Sequence, residues 1–318
     1  MTIENKIKQK QDIQIGRTNG NTKVLVVGMG QLGLPVALYV KQCGFDVYGH
    51  DISLKAVQRA SDLGGIKAAS NFKEFDMYII CVATHDPQNI FAPQTESLFS
   101  VVSRIAEEGK TGALISIEST VPKGTSRRVL EMIGHRLHVV HAPHRWWAED
   151  QNTHGVNQTR VIGGVEECCL HEGLGFYGIA DADSDRNPSI AANLGIPMHV
   201  VPNIEVAELT KIIENAHRYL QIAFAEDLFL WCQAEEIEFK ALRTALNTKW
   251  NVDILEPRKG IGGHCLPKDT RMFLYSSQRI RSKILDAAIE VDQEYALKVG
   301  KELTTPQIRR VEARVAEA

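Results

Sequence analysis

The sequence predicts an α/β chain in which a parallel-sheet domain over residues 23–202 is followed by an all-helical domain over 203–303. Three observations carry this. Short β-branched runs recur between segments of helical period, the pattern of strands buried on both faces and joined by crossover helices. The first run leads directly into a glycine-rich turn. From Asn203 onward, more than 30 residues pass without glycine or proline, and such a stretch is a long helix.

Residues 1–22 form a polar extension ending in the turn-like TNGNT. The run KVLVVG (23–28) is then a buried strand. The same pattern returns in FDVYGHD (45–51), DMYIICVAT (76–84), ALISIEST (113–120) and LHVVHAP (137–143). A helix near 165–177 and the strand-like MHVV (198–201) complete the first domain. The long helix over 203–238 carries two apolar stripes. One takes Val206, Leu209, Ile213, Ala216, Leu220, Ala223 and Phe224; the other takes Ile212, Tyr219, Ile222 and Phe229. A helix apolar on two sides needs two partners, so a homodimer built on this helix is expected. Residues 304–318 form a short, solvated C-terminal tail.

The composition narrows the function classes. With 318 residues, 44% hydrophobic and 24% charged, the chain has the makeup of a folded protein with more than one core. A net charge of -3 supplies no overall drive toward nucleic acid or an anionic membrane. No apolar run reaches the ~18 residues of a membrane span, and the N-terminus lacks a signal-peptide core. Six cysteines without CxxC spacing fit reduced thiols in the cytoplasm, with Cys168 and Cys169 as helix filler.

Gly28-Met29-Gly30-Gln31-Leu32-Gly33 matches GxGxxG between a strand and a helix, where bare backbone N–H groups can approach a pyrophosphate. Asp51 ends the next strand, 18 residues beyond Gly33, where a carboxylate binds the adenosine ribose diol and repels a 2′-phosphate. The combination points to NAD rather than NADP on a Rossmann-like sheet. Gly28, Gly30, Gln31, Leu32, Gly33 and Asp51 are the cofactor-binding candidates of this half, joined by Val82 and Thr84 at the end of the 76–84 strand.

Cys265 stands in GIGGHCLPKDT (260–270), where three roles are open. At a helix start its thiol would be acidified by the dipole and would act as a nucleophile. As a metal ligand it would need two or three more, and His264 is a neighbour pointing away. A small buried core residue is the third possibility. The series His135, His138, His141 and His144 is split between two faces of a strand, so no metal is expected. Lys211 and Asn215 lie four apart on one face of the long helix and can hold the same oxygen, unless Lys211 is a snorkelling surface lysine.

The segments GMGQLGLP, IESTVPKGT, RVIGG, EVAELTKIIENAHRYLQIAFAEDL and GIGGHCLPKDT, in this order and spacing from Val24 to about Leu303, resemble the UDP-glucose, GDP-mannose and UDP-N-acetylmannosamine dehydrogenase family. The resemblance implies a Rossmann-like domain followed by a 6-phosphogluconate-dehydrogenase-like helical dimerisation domain. It also implies an NAD-dependent, two-step oxidation of a sugar CH2OH to a carboxylate through a thiohemiacetal and a thioester on Cys265. Lys211 would stabilise oxyanions, Asn215 and Asp269 would position the lysine and a water, and Thr120 would sit by the nicotinamide and the reacting oxygen. Two features depart from the family. Its proline-glutamate pair is Pro143-His144 here, which makes His144 the candidate base, with Glu149 or Asp150 in reach and Trp146 and Trp147 as apolar pocket walls. Its third, nucleotide-gripping domain would begin where this sequence ends. Alternatives are a single-step dehydrogenase on a non-nucleotide substrate and a non-catalytic NAD-binding partner of a full-length enzyme.

Overall fold

The computed structural model describes residues 22–86, 88–147, Asp150, 153–178, 193–276 and 282–299. The N-terminal extension up to residue 21, Glu149 and the tail beyond residue 299 lie outside the described residues. The chain divides into two compact units. The first takes the described residues through Thr84, then Thr95–Ser119 and Gly124–Glu208; the second takes His85–Gln94, Thr120–Lys123 and the described residues from Leu209 on. The division thus falls inside the long helix, and two short loops go with the second unit.

The first unit is built on an eight-stranded sheet. Its strands are β1 (Lys23–Val27), β2 (Asp46–His50), β3 (Lys67–Ala68), β4 (Met77–Ile80), β7 (Leu114–Ile117), β8 (His138–His141), β9 (Arg160–Gly164) and β10 (Met198–Val200). They lie in the order β3-β2-β1-β4-β7-β8-β9-β10. Helices α1 (Gly33–Gln42), α2 (Leu54–Gly64), α3 (Glu96–Glu108), α4 (Thr125–Ile133) and α5 (Glu167–Tyr177) belong to this unit. Val24, Val26, Met77, Ile79, Val140 and Ile162 share one core with Val36, Ala37 and Val40 of α1 and Cys169 and Phe176 of α5. The alternate residues Leu25, Tyr78, Ile115 and Val139 are buried as well. Strands covered on both faces need apolar residues at every position, which is why KVLVV and its successors lack alternation.

The expected parallel sheet is mostly parallel, with one reversal. β8 and β9 pair antiparallel, Val140 opposite Gly164, and β10 then runs parallel to β9. No crossover helix joins β8 to β9 among the described residues, so the chain re-enters the sheet in the opposite sense. RVIGG is therefore a strand. Its glycines are required by packing, since a Cβ on Gly163 would lie 2.8 Å from the Cα of Ile204, and one on Gly164 would lie 2.5 Å from the Leu170 nitrogen.

Beyond β7, Glu118 forms a buried polar hub with 1% of its surface exposed. Arg160 donates to it at 3.1 Å, His144 Nε2 and the Tyr177 hydroxyl contact its two oxygens, and Cys81 Sγ lies 3.8 Å away. Burial pushes the carboxyl up, but the charges of His144 and Arg160 and the hydrogen bonds of His144 and Tyr177 outweigh it and bring the pKa down to about 2. A second buried carboxylate, Glu208, accepts from the Gly124 and Ser126 N–H groups at 2.6 and 2.7 Å and so closes the N-terminus of α4.

The second unit contains the antiparallel pair β5 (His85–Asp86) and β6 (Asn89–Pro93), most of α6 (Ile204–Ala234), and α7 (Phe239–Leu246), α8 (Cys265–Tyr275) and α9 (Lys283–Lys298). The buried face of α6 takes Ile212, Ala216, Tyr219, Ala223 and Leu230, which mixes the two stripes expected from the sequence. Ile213 and Phe224 are exposed instead. The Tyr219 hydroxyl donates to Asp292 at 2.9 Å, and Asp292 also accepts from the Ile261 N–H at 2.8 Å, fixing α9 and the 261 loop to α6. Among the described residues, no helix is long and apolar enough to cross a membrane.

The Glu118 hub has a measurable consequence. A carboxyl whose pKa lies below the ordinary 4.5 contributes stability above that value and loses it as pH falls toward 2. Glu118→Gln leaves Arg160 buried without its charge partner and should destabilise the fold by about 3–5 kcal/mol at pH 7. Thermal melts of wild type and variant should converge between pH 4.5 and 2; a constant gap over that window would rule out a charged Glu118.

Candidate functional site

The glycine motif builds a candidate cofactor site within the first unit. Gly28 leaves β1 with φ 95, and a Cβ there would lie 2.5 Å from the Cys81 oxygen. A Cβ on Gly33 would run into the Gly28 oxygen, so the start of α1 can approach β1 only through glycine. Gly30 differs. Nothing lies within 4 Å of its absent side chain, and it is exposed, so its bareness keeps space open rather than relieving a packed contact. Asp51 Oδ2 accepts from the Met29 N–H at 2.7 Å and Oδ1 from the Ser53 N–H at 2.8 Å, which ties the end of β2 to the glycine turn.

These residues border a cavity of about 640 Å³. Of the residues expected from the sequence, Gly28, Gly30, Asp51 and Val82 line it, while Gln31, Leu32, Gly33 and the buried Thr84 do not. One wall went unread: Glu96, Ser97, Ser100, Val101 and Arg104 form a single face of α3. Their spacing over two turns is the only sequence signal, and it is the same one that an ordinary solvated helix face gives. Arg104 is held in place by Glu108 at 2.8 Å and by the Phe72 ring, 4.1 Å from its guanidinium. An adenosine fits this cavity on its own terms. The bare Gly30 backbone stands at one side, apolar Ile52 and Val101 are among the lining, and Asp51 retains acceptor capacity beyond its two backbone donors.

A separate group of candidate catalytic residues lies in the second unit, at the start of α8. Gly260 and Gly263 take left-handed φ values of 81 and 76, and His264 is the N-cap, so Cys265 is the first helical residue. Asn215 donates to Asp269 Oδ2 at 2.5 Å, and Lys268 Nζ lies 2.7 Å from Oδ1. Asp269 and Lys268 are buried, whereas Cys265 is exposed. The thiol was expected to be acidified by the helix start, yet its pKa is raised. Partial desolvation by the surrounding protein and the Asp269 charge push it up, and Lys268 and Lys211 pull it back. Lys268 was not singled out from the sequence. His264 was, but as a residue pointing away: its Nδ1 lies 3.8 Å from Cys265 Sγ, and its Nε2 lies 3.1 Å from His85 Nδ1. Both imidazoles have lowered pKa values, through desolvation first and the Lys268 charge second. Thr120 belongs to the same unit.

His144 is placed differently from its expected role as a base. It is 5% exposed, in the first unit, with Nε2 engaged by Glu118. Trp146 packs against the sheet core and Trp147 is half exposed beside His154.

Comparison with known proteins gives a consistent assignment. Residues 55–179 match the model of the UDP-glucose/GDP-mannose dehydrogenase family, NAD binding domain, and residues 205–294 match that of the same family's central domain. The chain is 28% identical over 287 residues to UDP-N-acetyl-D-mannosamine dehydrogenase of Pyrococcus horikoshii, covering 80% of this chain and 65% of that protein. It is 27% identical over 308 residues to the Campylobacter jejuni enzyme of the same name, covering 86% and 72%. The solved structure of the Pyrococcus horikoshii protein superposes with a TM-score of 0.70 at 27% identity, over 86% of this chain and 69% of that one. This chain thus spans about two thirds of the length of these relatives. The two matched domains, the glycine turn with its cavity and the Cys265 loop agree on one conclusion: the chain belongs to the UDP-glucose/GDP-mannose dehydrogenase family.

Proposed function

We propose that this protein is an NAD-dependent oxidoreductase of the nucleotide-sugar dehydrogenase type, working in the cytoplasm and oxidising a primary alcohol of a sugar derivative to a carboxylate. The observation that carries this reading is the exposed Cys265 at the first turn of α8, ringed by Lys211, Lys268, Asp269, Asn215 and His264. NAD, when bound, supplies the hydride acceptor. The backbone from Gly28 to Gly33 would face its pyrophosphate and Asp51 its adenosine ribose, while Val82, Thr84 and Thr120 would border its nicotinamide end.

Cys265 acts as the nucleophile. Its sulfur bonds to the aldehyde carbon to give a thiohemiacetal, holds that carbon as a thioester after the second oxidation, and leaves as a thiol when water adds. The thiol must first lose its proton. A neutral imidazole 3.8 Å away is a fitting acceptor, and His264 can share that proton with His85. Lys211 stabilises the oxyanion formed at the carbonyl, and the Asn215–Asp269 pair holds the helix start and a water. His144 is a positioning residue in this scheme, because Glu118 already occupies its Nε2. The base for the hydrolytic step is His264.

The protein works as a homodimer through α6. Support comes from apolar surface left on this unit: Phe224 and Trp231 are 57% and 50% exposed, and Trp250 is 92% exposed beside a groove bordered by Leu228, Leu246 and Ile254.

Three measurements test these assignments. Asp51→Ala should weaken NAD binding about tenfold, the scale of one lost charge-assisted hydrogen bond, while improving relative affinity for NADP. Unchanged discrimination would remove Asp51 from the site. For the chemistry, a panel of sugar alcohols and nucleotide sugars read by NADH absorbance should give two NADH per substrate consumed. Cys265→Ser should abolish acid formation with NAD affinity intact, and His264→Gln should slow it at least ~100-fold. One NADH per substrate would support a single oxidation instead, and no turnover with intact NAD binding would support a non-catalytic partner. For assembly, sedimentation should give a dimer that Phe224→Glu with Trp250→Glu converts to a monomer; a monomeric wild type would discard the interface.

A further inference from the structure

Four nitrogen and sulfur donors meet where α4 ends and α5 begins; none of them lines the cavity, and Cys265 belongs to the other unit. His135 follows the C-cap Gly134 of α4, His138 opens β8, and Cys168 and Cys169 lie in the first turn of α5. One donor atom from each of the four falls within 4.8 Å of the others. His135 Nε2 lies 3.3 Å from Cys168 Sγ and 3.6 Å from Cys169 Sγ, and the two imidazole rings stand nearly perpendicular, at 88°. His135 holds this position with φ 55, a left-handed conformation that is strained for a non-glycine residue. His138 Nδ1 is buried and makes no hydrogen bond.

We propose that His135, His138, Cys168 and Cys169 form a closed, tetrahedral zinc site. Zn–S bonds of ~2.3 Å and Zn–N bonds of ~2.0 Å set an N···S edge of about 3.5 Å, which the two His135 contacts already match. A hydrogen-bonded alternative accounts for less. An imidazole nitrogen has one lone pair, so only one of two thiols can donate to His135 Nε2, and His138 Nδ1 is left buried without a partner. Two thiolates and two neutral imidazoles are the donor set that borderline-soft zinc prefers over harder cations, and four protein ligands leave no open position for substrate. The site is therefore structural. Binding displaces one proton from each thiol, with no change in oxidation state. Because the thiols bind zinc only as thiolates, zinc should be lost as pH falls.

The sequence hid this site because it read the histidines as one strand. His141 is fully buried elsewhere and His144 belongs to Glu118, as a two-faced strand requires. His135 lies before the strand, in the turn, and reaches the side of His138 where the α5 thiols arrive.

The test uses the full chain, stripped with a chelator and titrated with Co²⁺ as the probe before displacement by Zn²⁺. One equivalent per chain should bind, with the absorption of tetrahedral cobalt and a thiolate charge-transfer band. Cys168→Ser and His135→Ala, both at exposed positions, should lower affinity at least ~100-fold, while Cys265→Ser keeps the cobalt spectrum unchanged. Far-UV circular dichroism of the variants checks that they fold. Absence of stoichiometric binding at micromolar cobalt or zinc, an octahedral cobalt spectrum, or a charge-transfer band that survives Cys168→Ser would each overturn the site.

Discussion

The first unit depends on one buried carboxylate. Glu118 stands just past β7 and is contacted from β9 by Arg160, from the end of α5 by Tyr177 and from the loop after β8 by His144. Those segments are 26 to 59 residues away in sequence, so a single charge sets the mutual position of four pieces of chain. A charged group so deep requires well-formed partners, and wrong packings of the same elements would strand it. The adjacent Ser119 continues the constraint: its hydroxyl donates to Val82 and Ile80 carbonyls at 2.7 and 3.2 Å. Val82 lines the cavity, so the hub and this part of the cavity wall are fixed by neighbouring residues.

The sequence made the central strands legible because burial on both faces leaves a signal that little else imitates. KVLVV and LISI correspond to β1 and β7, and MHVV contains β10. β9 was hidden for the opposite reason. Gly163 and Gly164 lower its strand propensity, and the need for them comes from Ile204 and Leu170, which only the folded chain brings close. Gly28 and Gly30 were legible as cavity residues because a strand, a turn and a helix start come in one run of sequence, and Asp51 and Val82 because each stands at the end of a later strand run. The α3 wall and the Glu118–His144 contact join distant segments, and no spacing rule connects them.

Cys265 shows how a sound local argument can be outweighed. Its place at a helix start is as expected, and that start alone favours a thiolate. The fold adds desolvation and the nearby Asp269 charge, both of which favour the thiol, and sets two lysines against them. Asp269 is itself tied to Lys268 and Asn215, so the same carboxylate that orders the helix start opposes ionisation of its first residue. In the proposed mechanism a proton acceptor beside the sulfur resolves this conflict, and His264 Nδ1 lies 3.8 Å from it.

The order of the sheet also bears on how the chain leaves the ribosome. Once β4 has joined β1, the strands β7, β8, β9 and β10 each dock beside the sheet strand synthesised immediately before. Vectorial synthesis therefore extends the sheet outward on one side, with each arriving strand meeting a finished template rather than searching for a partner still to be translated. During that growth only one long edge is open at a time. When it ends, the borders are β3 with two residues and β10 with three, too short to template a second chain.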